Sequence, residues 1–184
     1  MSSAQGVMRV CSMPSPFGEL ALIWQAGSRP RLHYICLPEE SFPVRFGSLQ
    51  KGSCTEIEGL AEAVQRVLAG EAAMFDWMLL ALEQCSPFQQ RVLLAEYEVP
   101  RGQVTTYGLL ARHLGCPQAG RAVGQALGRN PFPLLIPCHR AVRADGHLGG
   151  YRGGLAMKRY LLEAEGVAIS PEGKVLVERF CYAI

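Results

Sequence analysis

The sequence predicts an α/β scaffold followed by a mainly α-helical region that contains a helix-turn-helix. Three observations carry this reading: apolar and polar residues roughly alternate over residues 7–37, one amphipathic stretch fills residues 56–69, and from Ser86 onward the spacing becomes helical, punctuated by Pro and Gly.

The alternation is interrupted at residues 14–18 and 26–30, both rich in Pro, Gly and Ser, so three antiparallel strands in a meander are expected. In residues 56–69, Leu60, Ala63, Val64, Val67 and Leu68 fall on one face and Gly70 follows as a stop, giving a helix that covers the sheet. Ser86 is a good N-cap and Pro87 a good first helical residue, which starts a helix reaching about Glu98. After the break at residues 100–102, Thr105 or Thr106 caps a short helix carrying Tyr107, Leu109, Leu110 and Leu114, and Gly115 ends it. Pro117 then opens a second helix running to about Gly128. Two short helices joined by a tight turn containing Gly form a helix-turn-helix. A last helix spans LAMKRYLLEAEG, with Leu155, Leu161 and Leu162 as core and Gly166 as stop. The expected organisation is a scaffold domain over residues 1–84, a second domain over 85–170 and a tail over 171–184.

The second helix of the pair is rich in small residues: Ala119, Gly120, Ala122, Gly124 and Ala126. Each interior Gly costs about 0.5–1 kcal/mol relative to Ala, so the pattern calls for a close approach of the backbone to something. A ligand surface and a neighbouring helix satisfy that demand equally well; Arg121 within the stretch favours nucleic acid.

With 184 residues, 49% of them hydrophobic, the chain can bury a core without disulfides. Its seven cysteines are an odd number and none is spaced C-x-x-C, which argues against a disulfide framework and against a zinc knuckle and fits a reducing cytoplasm. The first ten residues show no basic leader, and no run of eighteen uncharged apolar residues occurs, so neither secretion nor a membrane span is expected. The net charge of +2 hides an uneven distribution: residues 1–84 hold six basic against nine acidic side chains, and residues 85–184 twelve against seven. Between 101 and 159 nine basic residues face Asp145 alone, a field suited to a polyanion.

Inside that basic segment the apolar run 132–136 leads into Pro137, Cys138, His139 and Arg140. A Cys beside a His and two Arg is expected to have a lowered pKa. An unperturbed thiol is only a few per cent ionised at pH 7, so a nucleophile here needs a base or a relay. Adjacency alone is weak support, since neighbouring side chains often point apart. Downstream, the glycine-rich stretch around Tyr151 lets backbone approach a ligand, and Glu163 and Glu165 lie at the C-terminal end of the last helix. The helix macrodipole disfavours acids there, so a partner for such a carboxylate is expected.

The run RAVGQALGRNPFPLLIPCHRAVRADGHLGGYRGGLAMKRYLLEAEG, with SPFQQRVLLAEYEVPRGQVTTYGLLA before it, resembles the O6-alkylguanine-DNA alkyltransferases, also called methylated-DNA–protein-cysteine methyltransferases. The likeness covers residues 86–166, and PSPFGELAL near the amino terminus adds a weaker match. P-C-H-R in register with R-A-V-G, N-P and G-Y-x-G-G-x-x-x-K-x-x-L-L-x-x-E-G makes the set specific. The resemblance implies an RNase H-like fold for the first domain and a Cys138 nucleophile whose proton passes through a water to His139, oriented by Glu165. It further implies that Asn130 ties the helix-turn-helix to the active-site turn and that Tyr107 and Lys158 help the guanine accept charge. Backbone groups of Cys138, Ala141 and Arg152 would read the base, between Pro133 and Tyr151. Arg121 would fill the gap left by an extruded nucleotide, with Ala122, Gly124, Ala126, Arg129 and Thr106 also at the DNA face.

The implied partner is double-stranded DNA bearing O6-alkylguanine, bound by a monomer through the minor groove and largely without sequence preference. No cofactor and no metal are implied; some relatives bind zinc near the amino terminus, but only His33 lies near such a position here. Two departures stand out: Ala141 replaces a more usual Val, and Arg129 is shifted by one position relative to some relatives. The competing readings are a non-catalytic alkylguanine-recognition module, which would carry Trp in place of Cys138, a helix-turn-helix regulator, and a Cys-His hydrolase.

Overall fold

The computed structural model describes residues 6–38 and 40–183, so the start of the segment inspected for a leader and the last residue of the tail lie outside it. The meander forms where the alternation places it: β1 (Met8–Ser15), β2 (Gly18–Gln25) and β3 (Arg31–Cys36) pair antiparallel in sequence order. A two-residue strand, β4 (Gln50–Lys51), adds parallel to β1 and gives the order β3-β2-β1-β4. It escapes sequence reading because two exposed polar residues carry no periodic signal.

Because strand side chains alternate between faces, Leu20, Leu22 and Trp24 point into the main core and Ala21 and Ile23 to the other face. The first face is covered by α1 (Thr55–Leu68), which buries Ile57, Leu60, Ala63, Val64 and Leu68. The second face is covered in part by Phe46 and Leu49 from the loop before β4.

The second half is helical. The hydroxyl of Ser86 accepts the amide of Gln89 (3.2 Å) and starts α2 (Pro87–Tyr97). Ser86→Ala is expected to destabilise the fold by about 1 kcal/mol through loss of this cap, read as a lower urea midpoint with unchanged slope. Thr106 caps α3 (Tyr107–His113) in the same way, accepting the amide of Leu109 at 3.2 Å.

The next helix, α4 (Gly120–Gly128), begins three residues later than Pro117 suggests. Pro117 sits instead in a turn closed by the Ala119 amide on the Cys116 carbonyl (2.8 Å); its fixed φ suits a turn as well as a helix start. The last helix, α5 (Gly154–Ala164), buries Met157, Lys158, Leu161 and Leu162. Leu155, expected in the core, is 57% exposed, because it lies in the first turn, before α5 reaches the packed interior.

A short parallel pair, β5 (Thr105–Thr106) and β6 (Ala141–Val142), joins the start of α3 to the segment after Cys138. Residues 171–183 are held against this half: the Leu176 amide donates to Ala168 (2.8 Å), the Cys181 amide to Val104 (2.8 Å) and the Tyr182 hydroxyl to Ala95 (2.8 Å). One apolar core runs from Met13 on the sheet through α1, α2, α3 and α4 to Leu161 on α5, so scaffold and helices brace each other. The described fold is therefore α/β, with a small mixed sheet and five α-helices. Among the described residues no helix is long and apolar enough to cross a membrane.

Candidate active site

The chain leaving α4 is fastened by Asn130, which is 2% exposed. Its side-chain amide donates to the Ile136 carbonyl (3.0 Å) and its oxygen accepts the Phe132 amide (2.9 Å), closing a loop over the fully buried Phe132. Within that loop Leu134 takes a positive φ of 74°, a conformation that costs a residue with a side chain on the order of 1–3 kcal/mol and persists only where packing imposes it. The loop delivers a 3-10 turn, Cys138–Arg140, whose members point in different directions.

Cys138 is partly exposed and lines a pocket of about 370 Å³, walled by Tyr107, Gly124, Asn130, Pro133, Tyr151 and Arg152. His139 turns inward and is fully buried, its Nε2 2.9 Å from Oε1 of Glu165. An ionised carboxylate only accepts, so Nε2 carries the hydrogen and Nδ1 keeps a free lone pair; Nδ1 is buried and has no protein partner. Glu165 is gripped from the other side by Arg140, whose Nε and Nη2 donate at 2.9 and 2.8 Å while Nη1 reaches the Val99 carbonyl at 2.7 Å.

These contacts set the protonation states. Burial works against the Glu165 carboxylate, but hydrogen bonds from His139 and Arg140 outweigh it and hold the group at about 2. Burial lowers the pKa of His139 against the opposing pull of Glu165, keeping the imidazole neutral. The Cys138 thiol is raised, chiefly by burial, with Asn130 opposing. This corrects the expectation of an acidic thiol: Arg140 is directed at Glu165, and Arg143 pairs with Asp145 at 2.9 Å, so neither guanidinium serves the sulfur. The resting site holds a neutral thiol and a neutral imidazole, an arrangement in which the proton moves on demand.

Tyr107 is pushed up to about 12 by burial and by Glu96 and Cys138, so its hydroxyl is a donor at the pocket wall. Gly149 lies against it: a Cβ there would stand 3.1 Å from the Tyr107 oxygen, and its φ of +68° disfavours any other residue. Lys158 is fully buried, donates to Ala141 O at 2.6 Å and Gly150 O at 3.4 Å, and is lowered to about 8 by burial. The Ala141 carbonyl, expected to read a base, thus already accepts one hydrogen bond.

The residues expected at a DNA face divide. Arg121 and Ala122 are exposed on α4, and Arg129 is exposed just past its end. Thr106 is only 5% exposed and its hydroxyl is engaged in the cap, and Ala126 is 8% exposed within the core, so neither presents itself to a ligand. Gly124 faces the Tyr107 ring at 3.7 Å and Gly120 faces Gly108 Cα at 3.6 Å, both measured from a Cβ built on the glycine. The small residues therefore serve close packing of α4 on α3 on one side and leave a low surface on the other. Among the described residues no three His, Cys, Asp or Glu side chains converge, and the His33 ring meets Phe46 edge-on.

Residues 87–167 match the family model described as 6-O-methylguanine DNA methyltransferase, DNA binding domain. A methylated-DNA–protein-cysteine methyltransferase of Mycobacterium leprae is 39% identical over 156 residues, 84% of this chain and 90% of the relative. The chain belongs to the methylated-DNA–protein-cysteine methyltransferase family. A second methyltransferase of that name, from Methanothermobacter thermautotrophicus, is 42% identical over 113 residues, 61% of this chain and 63% of the relative, slightly under two thirds of its length. The crystal structure of Mycobacterium tuberculosis OGT in complex with DNA superposes with a TM-score of 0.70 at 34% identity, covering 85% of this chain and 92% of that one.

Within this methyltransferase-family chain, sequence reasoning missed the side chains that organise the site from behind. By sequence Arg140 is only a charge near sulfur, yet it is the partner that an acid at a helix C-terminus demands. For Arg152 the resemblance implies a role for the amide alone. Its guanidinium donates to Asn130 O (2.7 Å) and Ile35 O (2.6 Å), pairs with Glu40 (2.7 Å) and stacks over Tyr34, linking the pocket to β3. Gln89 closes the end of α4 through the carbonyls of Ala126 (3.1 Å) and Arg129 (3.0 Å). No periodicity marks any of these.

Proposed function

We infer that the protein repairs DNA by direct reversal, transferring an alkyl group from O6 of guanine to the sulfur of Cys138, once per polypeptide. The observation that carries this reading is the buried His139–Glu165 pair beside Cys138, with Nδ1 of His139 open to accept a proton. The thiol proton passes through a water to Nδ1, and the imidazolium formed is stabilised by Glu165, itself anchored by Arg140. The thiolate attacks the alkyl carbon in line and the carbon–oxygen bond breaks. Its electron pair moves into the guanine, where the Tyr107 hydroxyl and the Lys158 ammonium offset the charge. The product is a thioether with no easy hydrolytic exit, which makes the reaction stoichiometric. It calls for no cofactor or metal.

An O6-alkyl group lies inside the duplex, so the nucleotide must be extruded into the pocket, at a cost of a few kcal/mol that poor pairing of the damaged base reduces. Pro133 and Tyr151 flank the base, and backbone groups of Cys138, Ala141 and Arg152 read its edge. We read α3 and α4 as a helix-turn-helix whose exposed Arg121 fills the vacated stack, while Ala122 lets α4 lie in the minor groove and Arg129 contacts phosphate. Residues 1–84 act as a scaffold of RNase H-like type, residues 85–170 bind DNA and react, and 171–184 form a tail. The protein works as a monomer, on double-stranded DNA of any sequence, in the cytoplasm or nucleoid.

Incubation with a duplex carrying radiolabelled O6-methylguanine tests the reading. Label should stay on the denatured protein and level off at one equivalent; tight binding without label would instead favour a recognition module. Arg121→Ala should weaken lesion binding roughly tenfold, about 1–2 kcal/mol, to the same degree on duplexes of unrelated sequence. Gel-shift titration on two such duplexes checks this.

A further inference from the structure

Glu96 is a buried carboxyl that the reaction above leaves unused. It projects from α2 into the interior, is fully inaccessible, and neither of its oxygens has a well-formed hydrogen bond; the Ala141 amide, which favours the ionised form, is outweighed by burial. A carboxylate in such a place is costly and a neutral carboxyl much less so. The ionisable groups that face it are Tyr107 from α3, Cys138 and Arg140 from the 3-10 turn, Lys158 from α5, and Cys181 and Tyr182 from the carboxy-terminal segment. From α4, also packed on α2, Arg121 and Arg129 point to solvent. Arg140 is already neutralised by Glu165, whereas the Lys158 ammonium is held only by the uncharged carbonyls of Ala141 and Gly150. Lys158 is thus the cation behind the pocket whose field no carboxylate in hydrogen-bond contact cancels.

Resting on the alkyl-transfer reading, we propose that Glu96 is a positioning residue for that step, kept neutral by its burial so that the positive charge of Lys158 acts on the pocket. The form competent for transfer is then the neutral acid together with the ammonium. Ionised Glu96 would cancel the lysine's field and oppose negative charge both on Cys138 and on the departing guanine. Burial, the leading cause in each case, raises Glu96 to about 8 and lowers Lys158 to about 8, so either group can surrender the proton that ends this state.

The test is the pH dependence of the single-turnover transfer rate in native protein and in Glu96→Gln, compared as a ratio so that titrations common to both cancel. Native protein leaves the competent form when either Glu96 or Lys158 loses a proton, the variant only when Lys158 does. The ratio of variant to native rate should therefore climb as pH rises from 6.5 to 9.5, by about twofold if the two groups release with equal ease and loss of one proton holds back the other, and by more if they titrate independently. If Glu96 were instead the ionised counter-charge of Lys158, the variant's lysine would deprotonate earlier and the ratio would fall; a falling or flat ratio overturns the proposal. Native protein that takes up no label overturns the alkyl-transfer reading and this proposal with it, whereas normal labelling with a flat ratio overturns only the latter. Carboxyl carbon NMR of native protein labelled in glutamate gives a readout that does not depend on the variant folding. One carboxyl should keep the neutral chemical shift through pH 7, and ionisation of every glutamate by pH 6 would contradict the proposal.

Discussion

Cys138→Ala is expected to abolish transfer of label from O6-methylguanine DNA, a loss of about a thousandfold or more, while the variant still binds the lesion duplex. The size of the effect follows from the absence of a substitute. Cys36 and Cys85 are buried and pushed up to about 11, chiefly by burial, and Cys138 is the cysteine that lines the pocket. Binding persists because the pocket walls and the exposed arginines of α4 do not depend on the sulfur. Filter binding and label uptake measured on one preparation separate the two; a Cys138→Ala protein that still takes up label would show that the acceptor lies elsewhere.

Glu165→Gln should be the most damaging substitution that leaves the sulfur in place. The carboxylate, 3% exposed, is shared by His139 and Arg140, and removing its charge leaves the guanidinium, 13% exposed, without its anion. Breaking one partner of such a pair costs about 3–5 kcal/mol, seen as a large drop in urea midpoint at pH 7. Transfer should fall by about a hundredfold or more as well, since the imidazolium that forms in the reaction loses its support. The native protein should show the same dependence as acid lability. Glu165 titrates at about 2 in the fold, below its ordinary value of about 4.5, so the stability it contributes is present above pH 4.5 and is lost as pH falls toward 2. The difference corresponds to roughly 3 kcal/mol. His139, lowered by burial, acts in the same direction below its ordinary value of 6.5. Urea midpoints at pH 7 and pH 3 should converge between native protein and Glu165→Gln; a gap that does not narrow would contradict this account of the carboxylate.

What the sequence makes legible is what periodicity and capping chemistry control. The strands β1 to β3, the helix α1, the Ser86 and Thr106 caps and the stops at Gly70 and Gly166 each follow from local preference acting in the direction the fold requires. Local preference also misled, where one residue suits two structures: Pro117 serves a turn as readily as a helix start, and Ala126 on a small-residue helix faces a neighbouring core as readily as a groove. The site was legible as a set of residues but not as a set of directions. Adjacent Cys138, His139 and Arg140 diverge because a 3-10 turn fans consecutive side chains apart, so that Arg140 serves Glu165 and the thiol rises instead of falling. Glu96 and the guanidinium of Arg152 were illegible for a related reason. Each takes its importance largely from partners remote in sequence, Lys158 for Glu96 and Ile35 for Arg152, which no local pattern records.

The most direct measurement is peptide mass spectrometry after incubation with a duplex carrying a single O6-methylguanine. The peptide containing Cys138 should gain the mass of one methylene in amounts equal to the guanine restored, with the six other cysteines unchanged. Restoration of guanine beyond one equivalent with Cys138 unmodified, or the added mass on any other residue, would contradict the assignment of that sulfur as acceptor.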